Sequence, residues 1–453
     1  MKTTLLSCVG SDRATGYAMS NKILRWGDRL LVGWLDGPAE EGGPERIQLG
    51  VCDADSGTLD RVFCLGEGVD NHCGPVLALD GDNRVHAIVG AHSGNFLYRF
   101  SDNPAEPSRW SAPEPLGPFD TYPSLVVDAQ DTLHLISRES GPHPRKLIYR
   151  RKPRGAAWEG ATAMALSPRP GYTHFMHSLG SGPGGRLHLT FQYHYALDGL
   201  SPAQAAGRCA AYLWSDDSGM TWRQEDGSIA RLPLTLETTQ GFAAAPEGGI
   251  RLSNLVVDSK DRPWVFLSTP SSAGGSLLRR EESGWTQIPS TGGLDALDNR
   301  NGRETSLSRD AEGLIHCVIA TTPKGSPSKW YDPRHELFHL VFGEEGHLRT
   351  FEQLTNRGQG CASWLPRLEH WDYAPQSGAA TITNAPQSGA GTATNGASWL
   401  PSLEHWDWTR PNRHCGLWMQ FTQELVHSAS NKPTNVFLTR LTSPNSEHPC
   451  PRA

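Results

Sequence analysis

The sequence lacks three features that would place the protein in familiar functional classes. It has no run of about 18 apolar residues, which excludes a transmembrane helix. Charged residues make up only 20%, the net charge is −7 and the isoelectric point is about 6.2, so no polybasic surface for nucleic acid is expected. The nine cysteines include no C-x-x-C pair, and their odd number argues against a disulfide framework. We therefore expect no membrane or nucleic-acid partner and mostly reduced thiols.

What is abundant favours short strands and turns. The 453 residues include 48 glycines and 33 prolines, and 37% of the residues are hydrophobic. That is ample for a large core, and β architectures often form one long domain. We expect a single domain over residues 1–453 and a monomer. Residues 1–10 are too short and polar for a signal peptide and are predicted to form a first strand. A cytoplasmic location is expected unless a leader has been removed.

One short pattern recurs along the chain. A turn with Asp, Gly or Asn precedes a polar or basic residue, an apolar residue and, in most copies, His or Trp, and a strand follows. The copies begin at Gly27, Gly81, Gln130, Gly184, Lys260, Ala311 and His414. Each copy is followed by a second strand. A repeat of four short strands every 40–50 residues or so is typical of propeller blades, so we predict an all-β, seven-bladed β-propeller.

Residues 215–222 fit the Asp-box pattern S-x-D-x-G-x-T-W of BNR-type propellers. Asp217 is expected to accept hydrogen bonds from turn amides, Gly219 to adopt a positive φ, and Trp222 to pack between blades. Such boxes lie on the outer rim, so this one is predicted to be structural.

A near-duplicate marks the last part of the chain. Residues 362–372 recur almost unchanged as residues 397–407. The segment between them is rich in Ala, Gly, Ser, Thr and Asn, which predicts a low-complexity loop at about residues 374–396 in the last blade. The duplicated Trp, His and Glu residues could form sugar-binding edges, but a tolerated insertion is the simpler interpretation.

His72 and His92 are the strongest candidates for chemistry. They lie twenty residues apart, and two strand-like segments with a turn at residues 80–83 separate them. A strand pair joined by a tight turn folds back on itself, so the two loops are expected to meet at one end of a hairpin. Two titratable imidazoles there suit acid–base chemistry.

Tyr122 and Arg138 are expected to reach the same central face from the next blade. An imidazole, a phenol and a guanidinium together suit removal of a proton next to a carboxylate. The arginine neutralises the acid, one of His and Tyr takes the proton, and another protonates the leaving oxygen. That reaction is β-elimination from a uronic acid. Taken singly, each residue could instead brace a loop or a turn.

This pattern resembles the BNR-4 repeat family. The resemblance rests on the run D-[DN]-H-x-G-P, an apolar strand, D-x-x-x-R-[IV]-H, a strand, A-H and Y-R-x-S. Within that family the chain is similar to seven-bladed propeller lyases that act on ulvan and on rhamnose–glucuronate glycans. The resemblance implies that His72 and His92 are the active-site histidines, Tyr122 the catalytic tyrosine and Arg138 the carboxylate-neutralising arginine.

The resemblance also implies substrate contacts and a metal. The residues expected to contact sugar are Asn71, Tyr172, His174 and His194. Relatives hold a structural zinc with His and Cys, for which His143, His194 and Cys209 are the counterparts here. No fourth ligand is evident, because Ala196 stands where a cysteine would be expected, and the three residues could be ordinary loop residues. No cofactor is expected to be required for catalysis.

The sequence therefore predicts a lyase for an anionic, uronate-containing polysaccharide or oligosaccharide. The expected bond is that of a 4-linked glucuronate next to rhamnose, and the product a 4,5-unsaturated uronate. His72 and Tyr122 would share the base and acid roles, with His92 in support. An α-L-rhamnosidase-type hydrolase and a non-catalytic glycan-binding propeller remain alternatives. A sialidase site is disfavoured because the chain lacks an Arg-Ile-Pro start.

Overall fold

The computed structural model of the protein is all-β, as predicted. Besides one short 3-10 helix, Pro107–Arg109, the elements in the described part of the chain are strands, and their sheets are curled and open. The residues that the structure describes are 3–90, 92–200, 204–269, 275–289, 297–298, 304–323, 334–356, 361–370, 417–425 and 434–441. The predicted loop at residues 374–396 and the first three residues of the repeat copy at 414–418 lie outside them.

The strands follow one another as antiparallel meanders. Those of the first part of the chain are β1 (Thr3–Gly10), β2 (Ile23–Trp26), β3 (Arg29–Asp36), β4 (Glu45–Asp53), β5 (Leu59–Gly68), β6 (Val76–Leu79), β7 (Val85–Val89), β8 (His92–Ser101), β9 (Glu114–Val127), β10 (Leu133–Glu139), β11 (Lys146–Lys152) and β12 (Thr162–Leu166). Those of the second part are β13 (Thr173–His174), β14 (His177–Ser181), β15 (Leu187–Tyr195), β16 (Ala206–Ser215), β17 (Gly241–Ala244), β18 (Arg251–Val257), β19 (Pro263–Ser268), β20 (Ser276–Glu281), β21 (Gly284–Gln287), β22 (Leu297–Asp298), β23 (Thr305–Arg309), β24 (Ile315–Pro323), β25 (Glu336–Phe342), β26 (Leu348–Gln353), β27 (Cys361–Leu368), β28 (Trp418–Leu425) and β29 (Thr434–Arg440).

Hydrogen bonding joins the first described strand to the last described one. One sheet runs β27-β28-β29-β1-β3-β4-β5, with β2 also on β3, and Leu5 of β1 lies opposite Phe437 of β29. The other sheets run β12-β11-β10-β9-β8-β7-β6, β13-β15-β16-β17 with β14 on β15, β18-β19-β20-β21, and β22-β24-β25-β26 with β23 on β24.

Contacts and hydrogen bonds connect each meander to the next along their first strands. Contacts connect β2 to β6, β6 to β9, β9 to β14, β14 to β18, β18 to β23 and β23 to β27. Side-chain oxygens of one first strand accept backbone N–H groups of the next. These bonds are Leu179 to Ser124 at 3.2 Å, Leu255 to Ser178 at 3.0 Å, Leu307 to Asn254 at 2.8 Å and Leu368 to Ser306 at 3.2 Å. The N–H of His370 donates to the carbonyl of Ile23 at 3.2 Å, which joins the last meander to the first.

The repeated turn has a physical explanation in its acid. Asp80 uses Oδ1 to accept turn amides, and its Oδ2 lies 3.0 Å from Nε2 of His86. The other nitrogen of that imidazole lies 2.8 Å from the hydroxyl of Tyr98. The same arrangement recurs in Asp128, His134 and Tyr149. One carboxylate therefore satisfies both the turn and a buried imidazole, which is why Asp and His recur together.

The alternation of side chains along β15 places the predicted site residue His194 on the face opposite a hydrophobic cluster. The nine residues of β15 are all buried. Alternate side chains on one face, from Leu187 to Tyr195, join a hydrophobic cluster with Trp222. The other face carries polar side chains and ends in His194. The strand therefore packs on one side and presents a histidine on the other.

Candidate active site

A cavity of about 300 Å³ gathers residues from distant parts of the chain, and its size lies at the lower end of ligand pockets. Five predicted site residues line it, namely His72, Tyr122, Tyr172, His174 and His194. Five lining residues were not predicted from the sequence, namely Arg13, Tyr17, Met176, Arg251 and Glu304. Three other predicted residues, Asn71, His92 and Arg138, are not among the described residues that line it. Asn71 instead donates to Asp12 at 2.6 Å.

The two histidines meet through one carboxylate. The imidazoles of His72 and His92 stack with their centroids 4.1 Å apart and their planes 23° from parallel. Oδ1 of Asp70 lies 3.0 Å from Nδ1 of His72, and its Oδ2 lies 2.5 Å from Nδ1 of His92. An ionised carboxylate only accepts hydrogen bonds, so each Nδ1 carries a proton, and Nε2 of the neutral His72 keeps its lone pair.

Charge and burial set the protonation of this group. Burial lowers the pKa of His72, and the charges of Arg13 and His92 act in the same direction, whereas the hydrogen bond that His72 donates to Asp70 raises it. Burial alone would raise the pKa of Asp70, but the hydrogen bonds from His72 and His92 outweigh it and hold that pKa well below its usual range. At neutral pH the pair is therefore a carboxylate beside a neutral imidazole.

Tyr122 is held in an uncommon backbone conformation. Its φ is 60°, in the left-handed region, and Nε2–H of the buried His177 donates to its carbonyl at 2.8 Å. Side chains rarely adopt this region, and such residues cluster at functional sites. The ring of Tyr122 lies edge-on to that of His72, 6.0 Å between centroids. Burial, and then Tyr172, raise the pKa of Tyr122 well above its usual range, so its hydroxyl stays protonated at neutral pH.

The guanidinium of Arg138 lies over the face of the Tyr122 ring. The guanidinium carbon is 4.8 Å from the centroid of the Tyr122 ring. Nε donates to the hydroxyl of Ser140 at 3.0 Å, and Nη1 donates to the carbonyl of Thr173 at 3.1 Å. The residue is only 1% exposed. These contacts make Arg138 a brace for the tyrosine and for the start of β13.

Three of the four predicted sugar-contacting residues, Tyr172, His174 and His194, lie together in the cavity. The ring of His194 lies 6.2 Å from that of Tyr172 and 6.0 Å from that of His174, and both contacts are edge-on. Burial, followed by Arg251 and Arg208, lowers the pKa of His194 to about 3. Nε2 of His174 and Nδ1 of His194 are buried and find no hydrogen-bond partner among the described residues. Buried polar atoms of this kind call for a partner, which a bound sugar would supply.

The cavity carries positive charge within an acidic chain. Arg13 and Arg251 both line it, and the acidic Glu304 is paired with Arg367 at 2.7 Å. This balance favours an anionic ligand.

The proposed zinc ligands do not come together. Nε2 of His143 accepts a hydrogen bond from the backbone N–H of Gly171 at 2.9 Å. Cys209 lies opposite Tyr193 in the β15–β16 pairing, whereas His194 is the next residue along β15 and projects from the other face. Burial also raises the pKa of the Cys209 thiol, which disfavours the thiolate that binds zinc. The three residues therefore do not fit one zinc ion.

Asp70, His72 and His92 are the group that comes nearest to a metal site in the described ranges, with ligand atoms within 4.8 Å of one another. A bound metal lies near the plane of each imidazole that holds it. Two rings stacked nearly parallel do not converge on such a point. The geometry suits hydrogen bonding to the shared carboxylate better than metal binding.

Comparison with known families identifies the family to which the chain belongs. The family model described as "BNR repeat-containing family member" matches residues 48–291, more than half of the chain. The chain belongs to this family. The resemblance drawn from the histidine and tyrosine motifs is thereby confirmed.

Curated relatives and solved structures agree with this placement. An "Ulvan lyase" of Alteromonas sp. (strain LOR) is 22% identical over 300 residues, which cover 59% of this chain and 62% of the relative. An "Ulvan Lyase-PL25" of Pseudoalteromonas sp. (strain PLSV) is 19% identical over 309 residues, which cover 61% and 63%. The chain thus spans about three-fifths of the length of these relatives.

The solved structures show the shared fold. A PL25 ulvan lyase structure covers 97% of this chain and 96% of its own at 12% identity, with a TM-score of 0.63. A second PL25 ulvan lyase structure, described as bound to -[GlcA(1-4)Rha3S]-, covers 80% and 89% at 14% identity, with a TM-score of 0.59.

Four of the five lining residues missed from the sequence come from outside the second to fourth repeats, and the fifth, Met176, lies between β13 and β14. Arg13 and Tyr17 lie between β1 and β2, Arg251 starts β18, and Glu304 precedes β23. The run Ser11-Asp12-Arg13, followed by Gly16-Tyr17, was the available signal, because a charged and aromatic turn next to a strand often serves a site. Arg251 and Glu304 have no comparable local signal.

In the part of the chain that the structure describes, no helix has the length and apolar character needed to cross a bilayer.

Proposed function

We propose that the protein is a polysaccharide lyase that cleaves a 4-linked uronic acid by β-elimination. The proposed substrate is an ulvan-like glycan with glucuronate next to rhamnose. Ulvan lyases among the relatives and PL25 structures among the neighbours support this class. The observation that carries the proposal is a neutral imidazole, His72, placed beside a protonated phenol, Tyr122, in a cationic cavity.

The proposed reaction uses these two groups in order. Nε2 of His72 takes the proton from C5 of the uronate, and the C5–H electrons form the C4=C5 double bond. The C4–O bond breaks toward oxygen, which receives the proton of the Tyr122 hydroxyl. The raised pKa of Tyr122 keeps its hydroxyl protonated, as the acid role requires, and the lowered pKa of His72 leaves a free base at neutral pH. His92 supports His72 through their shared bonds to Asp70.

The deciding test is the product. Purified protein is incubated with ulvan, gum arabic, glucuronan and glycosaminoglycans, and ultraviolet absorbance of the unsaturated uronate is followed together with product mass. Elimination gives a conjugated double bond and adds no water. A rhamnosidase-type hydrolase adds water and gives no such absorbance, and a binding propeller gives no product. Either result would overturn the lyase assignment.

Variants connect the reaction to the site. His72→Ala is expected to lower kcat by about 10²- to 10⁴-fold, because the base is removed. His347→Ala is the matched control, since His347 is an exposed histidine of the β25–β26 turn. Full turnover by His72→Ala would remove His72 from the mechanism.

We also propose the seven-bladed propeller arrangement. Seven sets of strands support it: β2–β5, β6–β8 with the start of β9, the rest of β9 with β10–β12, β14–β17, β18–β21, β23–β26, and β27–β29 with β1. A closed ring of blades requires contacts between successive first strands and a pairing that joins the two ends of the chain. The contacts between first strands and the β1–β29 pairing meet these requirements. An experimental structure with another number of blades would overturn it.

A further inference from the structure

The carboxylate of a bound uronate needs a cation, and Arg138 is poorly placed to supply it. Its guanidinium is buried, donates to Ser140 and Thr173, and lies against the face of Tyr122. A ligand in the cavity would meet the tyrosine ring first. Arg251 also lines the cavity, where its charge lowers the pKa of the predicted sugar-contacting residues His174 and His194.

Arg13 is the cation beside the proposed base. Its Nη1 lies 2.6 Å from Nε2 of His72 and also donates to the hydroxyl of Tyr17. Tyr17 stacks on His72 with the ring centroids 5.8 Å apart. Without substrate, the guanidinium therefore covers the lone pair that the proposed reaction requires.

We propose that Arg13 binds the uronate carboxylate and, in doing so, uncovers Nε2 of His72. A carboxylate is a stronger partner for a guanidinium than a neutral imidazole, and it can accept two parallel N–H bonds. C5 is bonded directly to the carboxylate carbon, so a carboxylate seated on Arg13 brings the C5 proton to the atom that Arg13 has left. The C5 step rests on the proposed lyase function, whereas the carboxylate contact does not.

Binding separates the two claims. The ligands are a 4-linked glucuronate oligosaccharide and its carboxyl-reduced counterpart, and affinities are measured by calorimetry. The wild type is expected to prefer the acid, and Arg13→Gln to lose at least about 10-fold of that preference, the value of a charge-assisted pair. Arg13→Lys should keep part of it. Arg61→Gln removes a half-exposed arginine paired with Glu106 and should keep all of it.

The outcomes differ for each claim. An Arg13→Gln protein that unfolds at the wild-type temperature and keeps the full preference for the acid overturns the inference, as does a wild type with no preference. If the wild type prefers the acid through Arg13 but forms no unsaturated product, the lyase reaction falls and the carboxylate contact stands.

Proton NMR titration of the His72 ring gives a readout that simple loss of packing would not. The charged and titratable groups around this ring are Asp70, Arg13, His92, Tyr17 and Tyr122. Removing the positive charge of Arg13 should raise the pKa of His72 toward its ordinary value, since that charge now lowers it. In the wild type, the acid oligosaccharide should shift the His72 signals and the carboxyl-reduced one should not. Equal responses to both ligands would contradict the exchange.

Discussion

Asp70 holds His72 twice with one oxygen. Oδ1 accepts the backbone N–H of His72 at 2.9 Å and lies 3.0 Å from the ring Nδ1 of the same residue. The first bond fixes the loop, and the second fixes the tautomer and the direction in which Nε2 points. The sequence motif therefore contains the proposed base together with the group that orients it.

Asp70→Asn should lower kcat by about 10²-fold, because each carboxylate oxygen accepts from one imidazole and the amide replaces one of them with a donating NH2, so the tautomer of His72 is no longer fixed. The hydrogen bond that His72 donates to Asp70 now raises the pKa of His72, so its loss should move the acidic limb of the kcat profile to lower pH. Kinetics across pH check both effects. Asp102→Asn is the control, because Asp102 pairs with Arg109 on the surface. A shift of the limb to higher pH would contradict this account.

Tyr122→Phe should lower kcat by about 10²- to 10⁴-fold with a small change in KM, because the ring remains and only the acid is lost. The pKa of Tyr122 is raised by burial, so the wild type should show no alkaline fall from this residue below about pH 10. Tyr98→Phe is the matched control, since its hydroxyl meets His86 in a buried pair away from the cavity. It should cost stability of about 1 kcal/mol and leave kcat unchanged. Wild-type turnover by Tyr122→Phe would exclude the phenol as the acid.

His194→Phe should raise KM about 10-fold and change kcat little. The buried Nδ1 of His194 is unpartnered in the described structure and faces a cavity suited to sugar hydroxyls, so its removal takes away a binding contact rather than a step of the reaction. Steady-state kinetics on oligosaccharides of increasing length check this, and the effect should be largest on the longer ones. A fall in kcat at unchanged KM would instead place His194 in the chemistry.

The parts that sequence reasoning reached are local in the chain. His72 and His92 flank one hairpin and Tyr122 begins the next meander, so short-range strand geometry brings them together. The Asp–His turns could also be found, because the motif repeats at the spacing of the strands. The sequence contains a second repeat that was not recognised, a polar residue followed by leucine. The side-chain oxygen of each polar residue accepts a backbone N–H from the next meander, and the residues are Ser124, Ser178, Asn254 and Ser306.

What escaped sequence reasoning depends on the assembled sheets. Arg13, Arg251 and Glu304 lie far apart in the chain and share a cavity only because the first strands of distant meanders surround it. The orientation of Arg138 depends on a register shift between Ile136 and Arg138 in the β9–β10 pairing, which no residue pattern reveals. Residue type and spacing therefore identified the arginine correctly as a neighbour of the tyrosine but not the direction in which it points.

Acidification should destabilise the fold through two buried histidines. Burial lowers the pKa of His86 and His134 below 6.5, although the hydrogen bonds that they donate to Asp80 and Asp128 act in the opposite direction. The unfolded chain therefore binds protons near pH 6.5 that the folded protein refuses, and stability falls as the pH drops from about 7 toward 4.5. Thermal unfolding across this range checks it. His134→Gln should unfold at a lower temperature at pH 7 but lose less on acidification, whereas an unfolding temperature constant from pH 7 to about 5 in the wild type would refute the argument.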